Sequence, residues 1–315
     1  MLAFPRDFEQ GARMNIGVAG AGAVGAHYGA MLHRAGRPVF LLARGAHLAA
    51  MREHGLVHET GGKRHVVPVR VGDDAAPLAD CDIVMLTCKM TDLGAMLRLI
   101  VPHLAPGALL LTLQNGVEAP RIVAEALPEH AVAAGTAFIG ARIERPGFVR
   151  HTAAGGIRAG LWTDAGQPDA VARLERLFAA LNEAGVPARE EPDVRRMLWR
   201  KLLWNCGFNA LTAIVRRYAR DVAANPETLA IVRAAMDETI AVAGAEGVSL
   251  SQEDADKHVA VTLEMGPVKT SMWQDVERGR PTEVDWLNGF VARRAAEHGL
   301  DAPVNRMLTA MVHAI

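Results

Sequence analysis

Residues 14–32, which read MNIGVAGAGAVGAHYGAML, decide the fold of the first half of the chain. A short apolar run at residues 15–19 predicts a buried β-strand, and the Ala-rich stretch after residue 25 predicts a helix. Between them stands the pattern Gly20-x-Gly22-x-x-Gly25. The first glycine permits a tight turn, the second lets a diphosphate approach the backbone, and the third lets the helix pack against the strand.

This glycine pattern predicts a dinucleotide-binding βα unit, because the strand and the helix that the motif requires both flank it. A βα turn with a purely structural role is the alternative. In the first interpretation the N–H groups at the helix N-terminus face the phosphates of the cofactor. The loop residues predicted to bind it are Gly20, Ala21, Gly22, Ala23, Val24 and Gly25.

The second predicted strand, PVFLLARGAHL at residues 38–48, indicates which cofactor is bound. A Rossmann site for NAD usually has an Asp or Glu at the end of this strand, where it binds the ribose hydroxyls. Here the strand ends in Ala43 and Arg44. Because a guanidinium can bind a 2′-phosphate through charge-assisted hydrogen bonds, the sequence predicts NADPH, with Arg44 on the 2′-phosphate. A solvated surface arginine is the alternative.

Two further apolar runs each lead into a polar residue. CDIVMLTCK at residues 81–89 ends in Lys89, and GALLLTLQNGVE at residues 107–118 contains Asn115. In open α/β sheets ligands bind beyond the carboxyl ends of the strands, so both side chains fall where a cofactor would lie. Asn115 and the glycine after it are also an ordinary turn dipeptide, and that interpretation stays open.

The order of predicted elements indicates an α/β chain with two domains. Strands alternate with helices up to about Pro192, which predicts a Rossmann domain with a doubly wound, mostly parallel sheet. Amphipathic helical stretches then dominate, at residues 196–219, 227–246, 254–265, 283–298 and 305–315. We therefore predict an N-terminal extension at residues 1–13, an NADP-binding Rossmann domain at 14–192, and an all-α substrate-binding and catalytic domain at 193–315.

Composition restricts the class of function. Lys+Arg 34 against Asp+Glu 35 gives a formal net charge of −1, whereas chains that bind nucleic acids or anionic membranes normally show a basic excess. No apolar run reaches the ~18 residues of a membrane helix, and we expect the first 13 residues, which carry charges and no long apolar region, not to be a secretory signal. The three cysteines form no CxxC pair, and the histidines lack metal-ligand spacing. We expect a cytoplasmic enzyme with a small-molecule substrate and no metal, nucleic acid or membrane partner; a homodimer is one assembly that the sequence leaves open.

One predicted helix carries an unusual row of polar residues. WRKLLWNCGFNALTAI at residues 199–214 places Lys201, Asn205 and Asn209 at four-residue steps among bulky apolar side chains. At ~100° per residue the three lie on one face. A solvated face normally carries Glu, Lys or Arg, and Asn is a poor helix former. The residues alone do not decide between a face in water and a half-dry cleft.

The sequence resembles the ketopantoate reductase (2-dehydropantoate 2-reductase) family from Met14 almost to the C-terminus. The resemblance rests on the glycine pattern, on Arg44 and Lys89, on QNG at 114–116, on PGFVRH at 146–151, on the 199–214 helix and on SMWQDVERGRPTEVDWLNG at 271–289. That family is similar in architecture to 6-phosphogluconate dehydrogenase. It reduces a 2-oxo acid with NADPH in the pantothenate route to coenzyme A.

The resemblance implies catalytic roles for side chains in the second half. Lys201 would be the general acid that protonates the developing alkoxide, and Asn205 and Asn209 would hydrogen-bond substrate oxygens. Ser271 would bind the substrate carboxylate. Glu283 would lie near the nicotinamide and the substrate hydroxyl and would help to hold the lysine charged and aimed. Without the resemblance, Ser271 reads as a helix N-cap and Glu283 as a first-turn carboxylate that a helix dipole favours.

The resemblance also implies roles in the first half. Asn115 would bridge cofactor and substrate, and the backbone near Ala141 would contact the nicotinamide. Lys89 would join Arg44 around the adenosine phosphate. In one place the sequence departs from the family pattern: some members carry a further asparagine after the catalytic helix, where this chain has Ala219.

The departure at residue 219 weakens the case for 2-dehydropantoate itself but not for a 2-oxo acid. Reduction of 2-dehydropantoate is therefore the leading hypothesis for the function. A reductase for another 2-oxo acid, or an opine-type dehydrogenase, is the first alternative. A sensor that binds NADPH without catalysing a reaction is the second.

Overall fold

The computed structural model describes residues 14–315, and the predicted extension at residues 1–13 lies outside the described residues. The strands of the described part are β1 (Ile16–Ala19), β2 (Val39–Leu42), β3 (Leu56–Thr60), β4 (Lys63–Val67), β5 (Arg70–Gly72), β6 (Ile83–Leu86), β7 (Leu109–Thr112), β8 (Val132–Arg145), β9 (Phe148–Thr163) and β10 (Ala188–Glu190). Its α-helices are α1 (Ala23–Arg34), α2 (Gly45–His54), α3 (Met90–Ile100), α4 (Ala119–Ala126), α5 (Ala170–Glu183), α6 (Val194–Val215), α7 (Ala219–Ala224), α8 (Pro226–Ala245), α9 (Gln252–Glu264), α10 (Ser271–Glu277), α11 (Asn288–Glu297) and α12 (Pro303–His313). Short 3-10 helices cover Ala76–Asp80, Val101–His103 and Val284–Trp286.

All ten strands belong to one sheet, in the order β4-β3-β9-β8-β7-β6-β1-β2-β5, with β10 beside β9. The strands from β8 through β1 to β5 pair in parallel, and so do β3 with β9 and β10 with β9. Only the β3–β4 and β8–β9 pairs of these strands are antiparallel. The predicted mostly parallel sheet is therefore confirmed.

Helices cover both faces of the parallel part of the sheet. Ile16 and Val18 of β1 pack in one buried cluster with side chains of α1 and α5. Leu86 of β6 packs in a second buried cluster with side chains of α3 and α4. Since both faces are buried, these strands are short and continuously apolar, which is why the sequence pattern revealed them. The arrangement is the doubly wound fold that the sequence predicts.

The segment from β3 to β5 adds sheet structure that the sequence analysis did not assign. β3 and β4 form an antiparallel hairpin in which His58 faces His65 and Glu59 faces Arg64. Most side chains of β4 are exposed, and the turn between the strands is Gly61-Gly62. A polar strand at the edge of a sheet has little apolar periodicity, so the pattern that identifies buried strands does not detect it.

The second half of the described chain is helical. The stretches predicted at 196–219, 227–246, 254–265 and 305–315 correspond to α6, α8, α9 and α12 within a few residues. The stretch predicted at 283–298 was partly wrong, because a 3-10 turn precedes α11, and the short helices α7 and α10 were not predicted. The last strand ends at Glu190 and α6 begins at Val194. The domain division at residues 192 and 193 stays a prediction.

The segment that leads into α6 lies directly on the sheet. Glu191 donates its backbone N–H to the carbonyl of Ala159 in β9, at 2.9 Å. A Cβ on Gly160 would lie 2.2 Å from the carbonyl oxygen of Glu191 and 2.8 Å from Cγ1 of Val194. The absence of a side chain at residue 160 therefore allows the start of α6 to dock on β9. This contact sets where the side chains of α6 lie relative to the sheet.

Gly160→Ala is expected to lower the free energy of unfolding by about 1–3 kcal/mol, the usual cost of overpacking a rigid site. The atom that the new methyl group would meet is backbone, so it cannot rotate away. Urea unfolding followed by circular dichroism measures the change.

Gly244→Ala in α8 is the matched control, because a Cβ there meets no atom within 4 Å. We expect this variant to be unchanged or more stable by about 0.5–1 kcal/mol, since alanine favours a helix interior over glycine. Equal stability of Gly160→Ala and the wild-type chain would contradict the docking role.

Candidate active site

The glycine loop between β1 and α1 forms an open cradle. Gly20 has φ +108°, and a Cβ there would lie 2.6 Å from the backbone nitrogen of Cys88. A Cβ on Gly25 would lie 2.5 Å from the carbonyl oxygen of Gly20. Around Gly22, by contrast, no atom lies within 4 Å of the Cβ position. Gly22 precedes the first turn of α1, whose N–H groups have no partner within the helix, so the space fits the diphosphate of a dinucleotide.

The two cations predicted to bind the 2′-phosphate have separate partners. Arg44 immediately precedes α2, and its Nη2 donates to both carboxylate oxygens of Asp92 at 3.0 Å. Lys89 precedes α3, and its Nζ lies 2.5 Å from Oδ2 of Asp275 in α10. Nζ of Lys89 also donates to the carbonyl of Pro281, at 3.4 Å. Lys89 therefore contacts residues of the helical half, whereas Arg44 pairs with Asp92 of the first half.

The polar row on α6 is buried. The exposed fraction is 9% for Lys201, 3% for Asn205 and 1% for Asn209, so the row does not face bulk water. Nζ of Lys201 donates to the carbonyl of Ala137 in β8, at 2.9 Å. Nδ2 of Asn209 donates to Oδ1 of Asn205, at 3.3 Å. Of the two interpretations that the sequence left open, a solvated face is wrong.

Several buried polar atoms beside this row have no hydrogen-bond partner among the described residues. They are Nδ2 of Asn205, Oδ1 of Asn209 and Oγ1 of Thr136. A buried polar group without a partner costs about 1–3 kcal/mol, and three such atoms near one buried lysine are typical of a site that binds a polar ligand. Thr136 precedes Ala137 in β8. The sequence does not predict it as a site residue, because a threonine in a β-strand has no distinguishing pattern. These atoms could pair with the oxygens of a small polar substrate.

Glu283 links the two halves of the chain at this site. It is buried, and its Oε1 accepts a hydrogen bond from the backbone N–H of Met90, the first residue of α3, at 3.0 Å. Its Oε2 accepts from Nδ2 of Asn115, at 3.0 Å. The carboxylate thus lies at the positive end of α3 rather than in the first turn of a helix that follows it in the chain. Asn115, Glu283 and the start of α3 form one connected group.

Burial and charge act in opposite directions on Lys201. Loss of hydration lowers the pKa of Lys201, the negative charge of Glu283 partly offsets this, and the net pKa is about 8. A lysine with a pKa near neutrality can donate a proton readily and still be protonated at the start of a reaction. The amine of Lys201 therefore has the properties of a general acid.

Among the described residues, no hydrogen bond joins the remaining predicted residues, Ser271 and Ala141, to the amine of Lys201. Thr270, not Ser271, is the N-cap of α10, because its Oγ1 accepts from the backbone N–H of Trp273. Ser271 is the first residue of that helix, and the hydroxyl of Thr270 lies 2.7 Å from that of Thr212, which continues the row on α6. Ala141 is four residues beyond Ala137 along β8, roughly 13 Å in an extended strand. The roles predicted for Ser271 and Ala141 stay predictions.

A cavity of about 300 Å³ is lined in part by Lys201, whereas Asn205, Asn209 and Glu283 are not among its lining residues. Its lining includes Phe138 of β8, Met197 and Arg200 of α6, and Arg158 of β9. This volume is at the lower end of the range for small-molecule sites. Within residues 14–315, no group of three or more His, Cys, Asp and Glu side chains could hold a metal ion. No helix of the described part is long and apolar enough to cross a membrane.

Comparison with known proteins identifies relatives along almost the whole chain. The 2-dehydropantoate 2-reductase of Halobacterium salinarum is 33% identical over 301 residues, which cover 95% of this chain and 98% of the relative. The 2-dehydropantoate 2-reductase of Vibrio cholerae is 33% identical over 297 residues, which cover 94% of this chain and 95% of the relative.

Similar solved structures include a ketopantoate reductase and a D-mandelate dehydrogenase. A PanE/ApbA family ketopantoate reductase from Ralstonia eutropha JMP134 matches with a TM-score of 0.87 and 36% identity, over 96% of this chain and 98% of that one. A ternary structure of D-mandelate dehydrogenase with NADH and anilino(oxo)acetate matches with a TM-score of 0.86 and 27% identity, over the same shares of the two chains.

Two family models cover the two halves separately. The model described as ketopantoate reductase PanE/ApbA matches residues 16–164, which contain the glycine loop and Asn115. The model of the C-terminal part of the same family matches residues 193–315, which contain the polar row on α6 and Glu283. Since both models match in order and together span most of the sequence, the chain belongs to the ketopantoate reductase family.

Proposed function

We propose that the chain reduces 2-dehydropantoate to pantoate with NADPH, as an oxidoreductase of pantothenate and coenzyme A biosynthesis. The observation that carries the proposal is the buried amine of Lys201, aligned on α6 with amide groups that have unpaired hydrogen-bonding atoms. Such a site provides a proton donor and hydrogen bonds for a small molecule with several oxygens. The relatives of the chain support the choice of a 2-oxo acid as that molecule.

The bound NADPH supplies a hydride from C4 of its nicotinamide to the C2 ketone. Lys201 has the complementary task, because the ketone oxygen becomes an alkoxide that needs a proton. An ammonium has three N–H donors, of which one is used on the carbonyl of Ala137. The other two are left for the substrate, so Lys201 can polarise the ketone and then protonate the alkoxide.

Glu283 keeps the amine ready for this step. Its charge raises the pKa of Lys201 and so favours the ammonium form that donates the proton. Both oxygens of Glu283 accept hydrogen bonds, from Met90 and Asn115, which hold the carboxylate in place. The same bond orients Asn115: its Nδ2 faces Glu283, and its amide oxygen is left for the cofactor or the substrate.

The remaining polar groups of the site are proposed to recognise the substrate. Nδ2 of Asn205 would donate to a carboxylate or ketone oxygen of the substrate, and Oδ1 of Asn209 would accept from its hydroxyl group. Ser271, one residue after the N-cap of α10, would bind the carboxylate. We also propose that the enzyme acts in the cytoplasm and forms a homodimer. Analytical ultracentrifugation would measure the mass of that assembly.

A reductase for another 2-oxo acid is the second candidate. Two observations favour it: the structural similarity to D-mandelate dehydrogenase, and the buried Ala219 at the start of α7, where the family resemblance implies an asparagine in some members. A methyl group in place of an amide removes one hydrogen bond to a hydroxyl group. The substrate of the second candidate would therefore lack the hydroxyl of 2-dehydropantoate.

Lys201→Ala is expected to lower kcat by roughly 10²-fold or more, the usual contribution of a general acid. NADPH oxidation at saturating 2-dehydropantoate measures the change. Lys257→Ala in α9 is the control, because that exposed lysine pairs with Glu253 on the surface of the same helix. Unchanged turnover in Lys201→Ala would exclude the proposed mechanism.

Activity should fall at high pH because Lys201 donates its proton. With a pKa of about 8 the amine is protonated below that pH, so kcat/KM is expected to be constant there and to decline above it. Glu283→Gln removes the charge that raises the pKa of Lys201, so the decline should begin at lower pH. A profile of kcat/KM against pH tests both statements. An inflection that stays in place or moves upward in Glu283→Gln would contradict the coupling.

A panel of 2-oxo acids separates the two candidate functions. We expect kcat/KM for 2-dehydropantoate to exceed that for pyruvate, 3-methyl-2-oxobutanoate and phenylglyoxylate by at least about tenfold, since a buried polar site discriminates against substrates that lack a matching hydroxyl. Steady-state kinetics with NADPH give the four values. A higher value for any of the other three acids would favour the second candidate.

A further inference from the structure

The two basic side chains expected to bind the 2′-phosphate of NADPH are both engaged by carboxylates. Arg44 is 80% exposed at its side chain, and Asp92 holds it through both carboxylate oxygens. Lys89 pairs with Asp275 and contacts the backbone of Pro281. Neither cation therefore offers its full charge to a phosphate.

Asp92 lies beside the predicted cofactor path. The backbone N–H groups of Gly20 and Ala21 donate to the carbonyl of Leu42, so the glycine loop contacts the end of β2 two residues before Arg44. The segment that begins α3 also touches this loop, since a Cβ on Gly20 would meet the backbone of Cys88. Asp92 is in the first turn of α3, where the helix dipole favours a carboxylate.

The fold thus supplies an acidic group that the sequence of β2 lacks. In sites for NAD, an Asp or Glu at the end of the second strand favours the cofactor without a 2′-phosphate. In this chain β2 ends without an Asp or Glu, but the carboxylate of Asp92 in α3 pairs with the guanidinium of Arg44, which follows β2. A 2′-phosphate that approaches Arg44 must displace the carboxylate or share the guanidinium with it. NADH carries no such phosphate and has no such competition.

We infer that Asp92 is a residue that sets cofactor specificity: by pairing with Arg44, it lowers the preference for NADPH over NADH and lets the site use both. The inference rests on the proposed use of a nicotinamide cofactor. Arg44 remains the group that attracts the 2′-phosphate, and Asp92 limits how strongly it does so. Lys89 does not compensate, because Asp275 and Pro281 hold its amine toward the helical half.

Direct binding of NADPH and NADH to D92N tests the inference. We expect the Kd of NADPH to fall about fivefold, the upper end for loss of competition from one exposed ion pair. The Kd of NADH should change by less than about twofold, because NADH carries no 2′-phosphate that competes with Asp92 for Arg44. The remaining effect of one exposed charge on the ligand is screened by salt. Fluorescence titration at about 0.1 M ionic strength measures both constants without turnover.

D256N is the matched control. Asp256 of α9 is an exposed carboxylate that pairs with Arg233 of α8 at 2.7 Å, so the variant makes the same change of charge within the helical half. It should leave both constants unchanged. Thermal unfolding of D92N and D256N shows whether either substitution alters the fold. The double variant R44A/D92N should bind NADPH as R44A does, because Asp92 acts through Arg44.

Any of three results would overturn the inference. The first is a Kd of NADPH in D92N that is unchanged or higher. The second is an equal fall in the Kd of NADH, and the third is a fall in the Kd of NADPH of the same size when D92N is added to R44A. The proposed function is tested separately by the wild-type chain. Failure of that chain to bind either nucleotide would exclude the reductase itself. Binding and turnover by the wild-type chain together with an unchanged cofactor ratio in D92N would exclude the role of Asp92 alone.

Discussion

The hydrogen bonds of one buried carboxylate, Glu283, connect the parts of the active site. Its oxygens accept from the start of α3 and from the end of the β7 region, and its charge acts on Lys201 of α6. A buried charge is costly unless it is paired and hydrogen-bonded, so these groups are held near one another by the cost of separating them.

The cost of burying polar groups without partners also applies to the hydrogen-bonding atoms near Lys201. Protein groups donate a hydrogen bond to each oxygen of Glu283, but they leave one atom on each of Asn205, Asn209 and Thr136 without a partner. A chain under selection for stability alone would replace such groups with apolar ones, because an unpaired buried amide destabilises the fold. Their presence on α6 and on the neighbouring strand β8, with a lysine whose pKa is lowered to about 8, is typical of a site that a polar ligand completes.

Cofactor and substrate recognition depend on different parts of this architecture. The cradle around Gly22 and the first turn of α1 can hold a diphosphate whichever dinucleotide is present, because backbone groups form it. Side chains on neighbouring elements distinguish one dinucleotide from another, and here Arg44 and Asp92 carry opposite charges. Reactivity and cofactor preference can therefore change independently within one fold.

Local patterns in the sequence determined the glycine loop, the doubly wound sheet, the helical second half and the row on α6, because each depends on residues close together in the chain. The row's spacing predicted that its three side chains share a face, but only the packing of α6 on β8 showed that the face is buried. Three features came from tertiary structure alone: the unpaired hydroxyl of Thr136, the pairing of Arg44 with Asp92, and the contacts of Glu283 with Met90 and Asn115. These contacts join residues 48, 193 and 168 positions apart, and no local periodicity records a contact between distant parts of a chain.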